Sequence, residues 1–247
     1  MQSVGKSLHK ANIIRGMAAS ITQKQSILVL GANGFIGRAV VAGLAHTDWA
    51  APIAGARNPS MTGEDHIERR RVDATDMGSL SAAVRGVAGI VNCVAGDADT
   101  IVNSAKLLFD VARRLDRPPR IVHLSSMAVY GSAEGLVDET APLLGDLGPY
   151  SKAKVDAEAL ARVYPHMVVL RPGCVFGPES EQWSTRIARL LTVHRLGDLG
   201  PAGDGYFNLV EIDDVVLAIV RALERPALDG QVFNLSTRNP PTWNQVK

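Results

Sequence analysis

Three groups of residues in this chain have the types and spacing to do chemistry. The first is Tyr150 with Lys154, four positions apart and therefore on one face of a helix that carries both. A lysine ammonium held near a phenol favours the phenolate, which would lower the tyrosine pKa and give a usable proton donor and acceptor. Taken alone, the same spacing also describes two residues on a solvated face. The second group is Ser125-Ser126, directly after the apolar run Ile121-Val122-His123-Leu124. Hydroxyls at the carboxyl end of a central strand stand where open α/β sheets bind ligands. The third is Gly31-Ala32-Asn33-Gly34-Phe35-Ile36-Gly37. Gly31 permits a tight turn, Gly34 lets the backbone approach a pyrophosphate at a helix start, and Gly37 allows close packing of helix on strand.

The elements that must position these groups alternate between strand and helix. The apolar run Ser26–Leu30 precedes the glycine turn, and Arg38–Leu44 follows it at helical spacing. A second strand over 51–57 ends in Ala56-Arg57. In dinucleotide-binding sheets that end faces the adenosine ribose, where a carboxylate favours NAD and an arginine complements a 2′-phosphate. Arg57 therefore points to NADP, or else is a solvated charge opening the turn at Asn58-Pro59. A third strand over 71–76 carries Asp73, able to accept from an adenine amino group, and Asp76, a cap for the helix with Leu80, Ala83 and Val84. The buried-type run Ile90–Gly96 ends in small residues that leave room for a cofactor or simply make a turn. A helix from about Thr100 to Leu115 is stopped by Pro118-Pro119. His123, inside its strand, reads as a packed core residue. A strand over 168–172, a mixed-face helix over 183–196, an amphipathic helix through Val215–Leu223 and a strand over 230–235 complete the alternation.

Composition narrows the class. The 247 residues suit one large domain, 46% are apolar, and a net charge of +1 gives no reason to expect nucleic acid or an anionic membrane surface as partner. Cys93 and Cys174 have no metal-ligand spacing and read as reduced thiols, so a cytoplasmic protein with no bound metal is expected. No apolar run approaches the roughly 20 residues that span a bilayer. Residues 1–24 hold Lys6, Lys10, Arg15 and Lys24, and the first acid is Asp48. This stretch reads as a flexible extension, an over-extended start ahead of Met17, or an organellar transit peptide.

Taken in order, Gly31–Gly37, Asp73, Ser125-Ser126 with Val129-Tyr130-Gly131, Tyr150 with Lys154, Arg171-Pro172-Gly173 with Gly177-Pro178, and Ile212-Asp213-Asp214 resemble the extended short-chain dehydrogenase/reductase superfamily, in its NAD-dependent epimerase/dehydratase group. The resemblance runs from about Ser26 to the end. It implies an α/β fold, a Rossmann-type doubly wound parallel sheet over 25–247, with substrate-lobe elements at about 178–211 and 236–247 forming a small C-terminal lobe. It implies hydride transfer at a carbonyl or carbinol carbon, with Tyr150 as acid/base, Lys154 lowering its pKa and holding the nicotinamide ribose, and Ser126 bonding the reacting oxygen. Cofactor contacts follow at Gly31, Asn33, Gly34, Phe35, Ile36, Gly37, Arg57, Asp73, Ala74, Val94, Ala95, Gly96, Tyr150, Lys154, Pro172 and Val175, with NADP(H) favoured over NAD(H). Dimerisation through the helices after Thr100 and Pro149 is the family habit.

The departures bear on substrate. Cys174 stands where the family often has asparagine, and Gly205-Tyr206-Phe207-Asn208 lacks the arginine that grips a sugar-nucleotide diphosphate. Arg186, Arg189 or Arg195 are the available substitutes. Met127-Ala128 lacks the acidic pair of the dehydratases. The expectation is a small-molecule substrate other than a nucleotide sugar, with no dehydration. The alternative is a non-catalytic NADP(H)-binding accessory or redox-sensing protein of the same fold, against which the intact hydroxyl–tyrosine–lysine set argues.

Overall fold

A computed structural model describes residues 24–58, 67–193 and 197–246. The expected extension before Lys24 and the candidate Arg195 lie outside the described residues. Strands β1 (Gln25–Leu30), β2 (Ala50–Ala56), β3 (Glu68–Arg71), β4 (Gly89–Asn92), β5 (Arg120–Leu124), β6 (Met167–Pro172) and β9 (Val232–Leu235) form one parallel sheet. Their order is β3-β2-β1-β4-β5-β6-β9, so the crossover direction reverses at β1 and opens a crevice between β1 and β4. Two short strands, β7 (Cys174–Phe176) and β8 (Leu209–Glu211), pair separately.

Parallel strands need crossover helices, and these cover both faces. One face holds α2 (Met77–Ala83), α3 (Ala98–Ala112) and α4 (Pro149–Arg162), packed through Leu80, Ile101, Leu108, Phe109, Ala153 and Ala157 onto Leu28, Ile90 and Ile121. The other holds α1 (Phe35–Ala45) and α6 (Ile212–Glu224), whose Val40, Leu44, Val215 and Ile219 meet Val29, Val91 and Val122. The central strands are buried on both sides, which is why they read as continuous apolar runs rather than alternating ones.

Two elements differ from the sequence expectation. The third strand is Glu68–Arg71 instead of 71–76. Val72 N–H still donates to the Ala56 carbonyl; beyond it Asp73 turns the chain, its Oδ1 accepting from the Thr75 N–H and its own N–H going to Ser79 Oγ. The helix expected over 183–196 begins as a wide π-type turn, Glu181–Thr185, and continues as a two-turn helix, α5 (Arg186–Thr192). Ser180 starts it by accepting from the Trp183 N–H. His123 is a core residue as expected, its Nδ1 3.1 Å from Asn92 Nδ2.

The turn after β1 has no spare room. Gly31 sits at φ 77°, and a Cβ there would lie 2.7 Å from the Cys93 carbonyl oxygen on β4's outgoing chain. At Gly37 a Cβ would fall 2.2 Å from the Gly31 carbonyl oxygen. Because the obstacle is backbone, Gly37→Ala must push α1 off the turn, with an expected loss of about 3 kcal/mol in urea unfolding, toward the upper end for overpacking. A loss below about 0.5 kcal/mol, the range of neutral surface changes, would show that the helix does not depend on this contact.

Candidate active site

The carboxyl ends of β1, β2, β4, β5 and β6 surround a cleft of two cavities. The first, about 330 Å³, is lined by Gly31, Asn33, Gly34, Ala56, Arg57, Asp73, Ala74 and Val94, among others. The second, about 460 Å³, is lined by Phe35, Ile36, Ser126, Tyr150, Lys154, Pro172, Val175 and the stretch Glu179–Trp183, among others. Cys93, Val94 and Ala95 line both, so the cavities adjoin at the end of β4. Of the candidate site residues, only Gly37 and Gly96 lie outside the lining. Gly37 packs helix on turn, and Gly96 faces the Thr100 side chain.

Each position has a local cause. Helix α1 is preceded by Gly34, with no side-chain cap and no acid in its first turn, so its positive dipole end stands at the cleft, Gly34 lining the first cavity and Phe35 and Ile36 the second. Asn33 Nδ2 donates to the Asn58 carbonyl at 2.9 Å, tying the glycine turn to the chain leaving β2. Asp73 Oδ1 accepts from Thr75 N–H and hydroxyl; these bonds, with the Arg57 charge adding, hold the carboxyl below its ordinary range. No carboxylate stands at the end of β2; Ala56 does. These features fit a dinucleotide, whose pyrophosphate needs donors without a competing side chain.

In the second cavity Pro149 starts α4, which presents Tyr150, Lys154 and Glu158 on successive turns. Lys154 is buried and its Nζ donates to the Leu124 carbonyl at 2.8 Å, the last residue of β5. Burial lowers its pKa to about 8. Ser126 stands close enough to the Tyr150 hydroxyl to favour its ionised form. The expectation that Lys154 lowers the Tyr150 pKa is corrected here: burial pushes the phenol above its ordinary value, and the only opposing influence is Ser126. The reason is geometric. Lys154 Nζ lies 5.8 Å from the Tyr150 ring centroid and is committed to the backbone. The two serines also separate, since Ser125 is buried and donates to Glu158 Oε2 at 2.8 Å.

Sequence reasoning missed what lies beneath. Arg171, in β6, holds Glu158 with Nε to Oε2 at 3.0 Å and Nη2 to Oε1, and both side chains have 0% exposure. Arg171 Nη1 also donates to the Tyr130 hydroxyl at 2.6 Å and the Glu139 carbonyl at 3.2 Å. Tyr130 in turn donates to Asn234 Oδ1 at 2.7 Å, reaching β9. An arginine directly after the apolar run Val168-Val169-Leu170 and still within the strand was the available signal, because a buried charge demands a partner. Glu179–Gln182 was also missed as cavity wall. The thiols of Cys93 and Cys174 are pushed up by burial, to about 12 and about 11, so neither is a ready nucleophile.

Residues 27–236 match the model of the NAD dependent epimerase/dehydratase family. The chain belongs to that family. Its members are nicotinamide-dependent enzymes, and so is this protein. Among solved structures it is similar to a putative epimerase from Burkholderia cenocepacia, with 20% identity, a TM-score of 0.76, and coverage of 92% of this chain and 79% of that one. It is similar to a short-chain dehydrogenase/reductase superfamily protein from Agrobacterium tumefaciens with bound NAD, at 25% identity, TM-score 0.71 and coverage of 88% and 79%. A third is a UDP-glucuronic acid 4-epimerase from Bacillus cereus in complex with NAD, at 21% identity, TM-score 0.74 and coverage of 88% and 80%. No curated protein sequence matches. Among the described residues no helix is long and apolar enough to cross a membrane.

Burial of Lys154 makes a signed prediction for the protein without nucleotide. In the unfolded chain its pKa is the ordinary 10.5, against about 8 when folded. Between these values the unfolded state binds the extra proton, so stability rises with pH across that window, and the cost of the buried ammonium is fully present below pH 8. Lys154→Met should therefore be more stable than wild type at pH 7 by up to about 3 kcal/mol, with the gap closing towards pH 10. Thermal unfolding across that range checks it; a gap independent of pH would mean the ammonium is not desolvated.

Proposed function

We propose that the protein is an oxidoreductase or epimerase that moves hydride at a carbonyl or carbinol carbon of a small molecule, with Tyr150 as its acid/base and NADP(H) as its preferred cofactor. The observation that carries this reading is the convergence of Ser126, Tyr150 and Lys154 on one cavity adjoining the uncapped start of α1. When bound, the nicotinamide supplies the hydride donor or acceptor.

The raised phenol pKa keeps Tyr150 protonated at neutral pH. It can then donate to a carbonyl oxygen as negative charge develops there, and the same hydroxyl takes the proton back in the reverse direction. Ser126, beside Tyr150 in the same cavity lining, is placed to hold that oxygen. Lys154 pins the carboxyl end of β5 through Leu124 and so holds the helix turn that carries Tyr150. The start of α1, with Asn33, Gly34, Phe35 and Ile36, would receive a pyrophosphate; Asp73 and Ala74, in the first cavity, would hold an adenine, and Val94, Ala95, Pro172 and Val175, in the second, would hold a nicotinamide.

The cofactor preference rests on Arg57, exposed at the mouth of the first cavity beside Asp73, with no carboxylate at the end of β2 to accept from a ribose 2′-hydroxyl. A 2′-phosphate would find a cation there. Near-neutral charge and two protonated thiols suit work in the cytoplasm, and α3 with α4 supply the faces through which the family habit would pair two copies.

Calorimetric titration should show NADPH binding about tenfold or more tightly than NADH, the value of one charge-assisted contact, with Arg57→Ala erasing the difference. Equal or tighter NADH binding would remove the role given to Arg57. Tyr150→Phe should bind the dinucleotide normally and lose about 10²-fold to 10⁴-fold in turnover; retained turnover would take the proton transfer away from Tyr150.

A further inference from the structure

We propose that Arg38 is a ligand of the dinucleotide pyrophosphate and that Glu179 competes for it, so that phosphate and carboxylate exclude each other at one guanidinium. The inference rests on the dinucleotide reading above and adds to the start of α1 a side-chain ligand and a rival for it.

Position places Arg38 beside the expected pyrophosphate. It stands one helical turn after Gly34, its N–H donating to the Gly34 carbonyl at 2.9 Å. Its side chain lines the second cavity together with Phe35 and Ile36, the first two residues of α1. Of the two cations that line this cavity among the described residues, Lys154 is buried and bonded to the Leu124 carbonyl. Arg38 is the one free to move. It is half exposed, and its Nη2 meets Glu179 Oε2 at 2.9 Å. An exposed ion pair of this kind is weak, because water screens it and ordering two long side chains opposes it. A guanidinium grips a phosphate through two parallel bonds, and a pyrophosphate brings more charge than one carboxylate. The pyrophosphate is therefore the stronger partner.

Glu179 breaks a local rule to stand where it does. The Ser180 N–H donates to the Gly177 carbonyl at 3.2 Å, closing a four-residue turn with Pro178 second and Glu179 third. Glu179 has φ 66°, the left-handed value that favours glycine or asparagine at the third place of such a turn. Among the described residues no other non-glycine has positive φ. The turn is fixed from behind, since Ser180 is buried and its hydroxyl donates to the Val175 carbonyl at 3.1 Å. Strain held at the wall of a cleft points to function. What a glutamate supplies here, and a glycine could not, is a carboxylate against Arg38. Glu179 is 71% exposed, so water screens its charge at longer range and its influence on a phosphate passes through the guanidinium it touches.

The test is a double-mutant cycle on the full chain, read by calorimetric titration with NADPH and with NADH. Arg38→Ala should weaken both dinucleotides by about tenfold, the value of one charge-assisted contact, and by the same factor because both carry the pyrophosphate. Glu179→Gln should tighten both by about two- to fivefold, the range of an exposed ion pair, and should change nothing in the Arg38→Ala background. Both positions are exposed, so the variants keep the fold. Unchanged affinity in Arg38→Ala would overturn the inference. So would a Glu179→Gln variant that fails to tighten binding, or one whose effect survives without Arg38. A loss confined to NADPH would overturn it too, by placing Arg38 at the 2′-phosphate. The two readings separate cleanly. Wild type that binds neither dinucleotide removes the site and the inference together, whereas normal wild-type binding with silent variants removes the inference alone.

Discussion

Arg171 could not be carried in the core without Glu158, which also pairs with Arg162 at 3.3 Å. Arg171 and Glu158 are each wholly removed from water, a position that costs several kcal/mol for a lone ion and is tolerable only where geometry and extra hydrogen bonds compensate. Here they do. The guanidinium meets the carboxylate with two nitrogens, spends a third on Tyr130 and the Glu139 carbonyl, and leaves Glu158 able to accept from Ser125 as well. The pair thereby joins β6, α4, the end of β5 and the single turn at Met127–Tyr130. Those are the elements that carry the proton-transfer residues. Lys154 makes a second tie between α4 and β5 one helical turn away. The helix that carries the phenol is thus fixed by two buried links, and replacing Glu158 alone would leave the buried guanidinium without its counter-ion.

The division of the cleft follows from the sheet. Strand order reverses between β1 and β4, so loops diverge there and leave a gap. The gap has a backbone floor, because Gly31 nearly touches the outgoing β4 chain. Cys93, Val94 and Ala95 form the ridge between the two cavities. Their small size keeps the ridge low. Asn92 holds it in place, accepting from the Val94 N–H while its amide faces His123.

Most of the fold was legible in the residues. Apolar runs marked the central strands, and the glycine turn, Asp76 and Pro149 marked starts of helices that the structure places within a few residues. The site residues were legible as types, since Ser126, Tyr150 and Lys154 meet in one cavity. What local pattern could not convey was partnership across the sheet. Glu158 looked like any helical acid and Arg171 like part of a turn motif, and their bond spans elements that no local spacing relates. The pKa of Tyr150 was misjudged for the same reason: spacing brought Lys154 to the right face but said nothing of the Leu124 carbonyl that takes its proton donors. The third strand slipped because Asp73, read as a strand end, turns the chain with its own side chain.

The bond from Tyr130 to Asn234 spans 104 residues. Its two ends leave the ribosome far apart in time, and β6 keeps one edge open until β9 arrives to pair with it. A nascent chain can lay down β1 to β6 with their helices, yet Arg171 and Tyr130 then sit beside an unfinished edge. The site therefore matures only once β9 has been made and paired, and until then its open strand is exposed to pairing with the wrong neighbour.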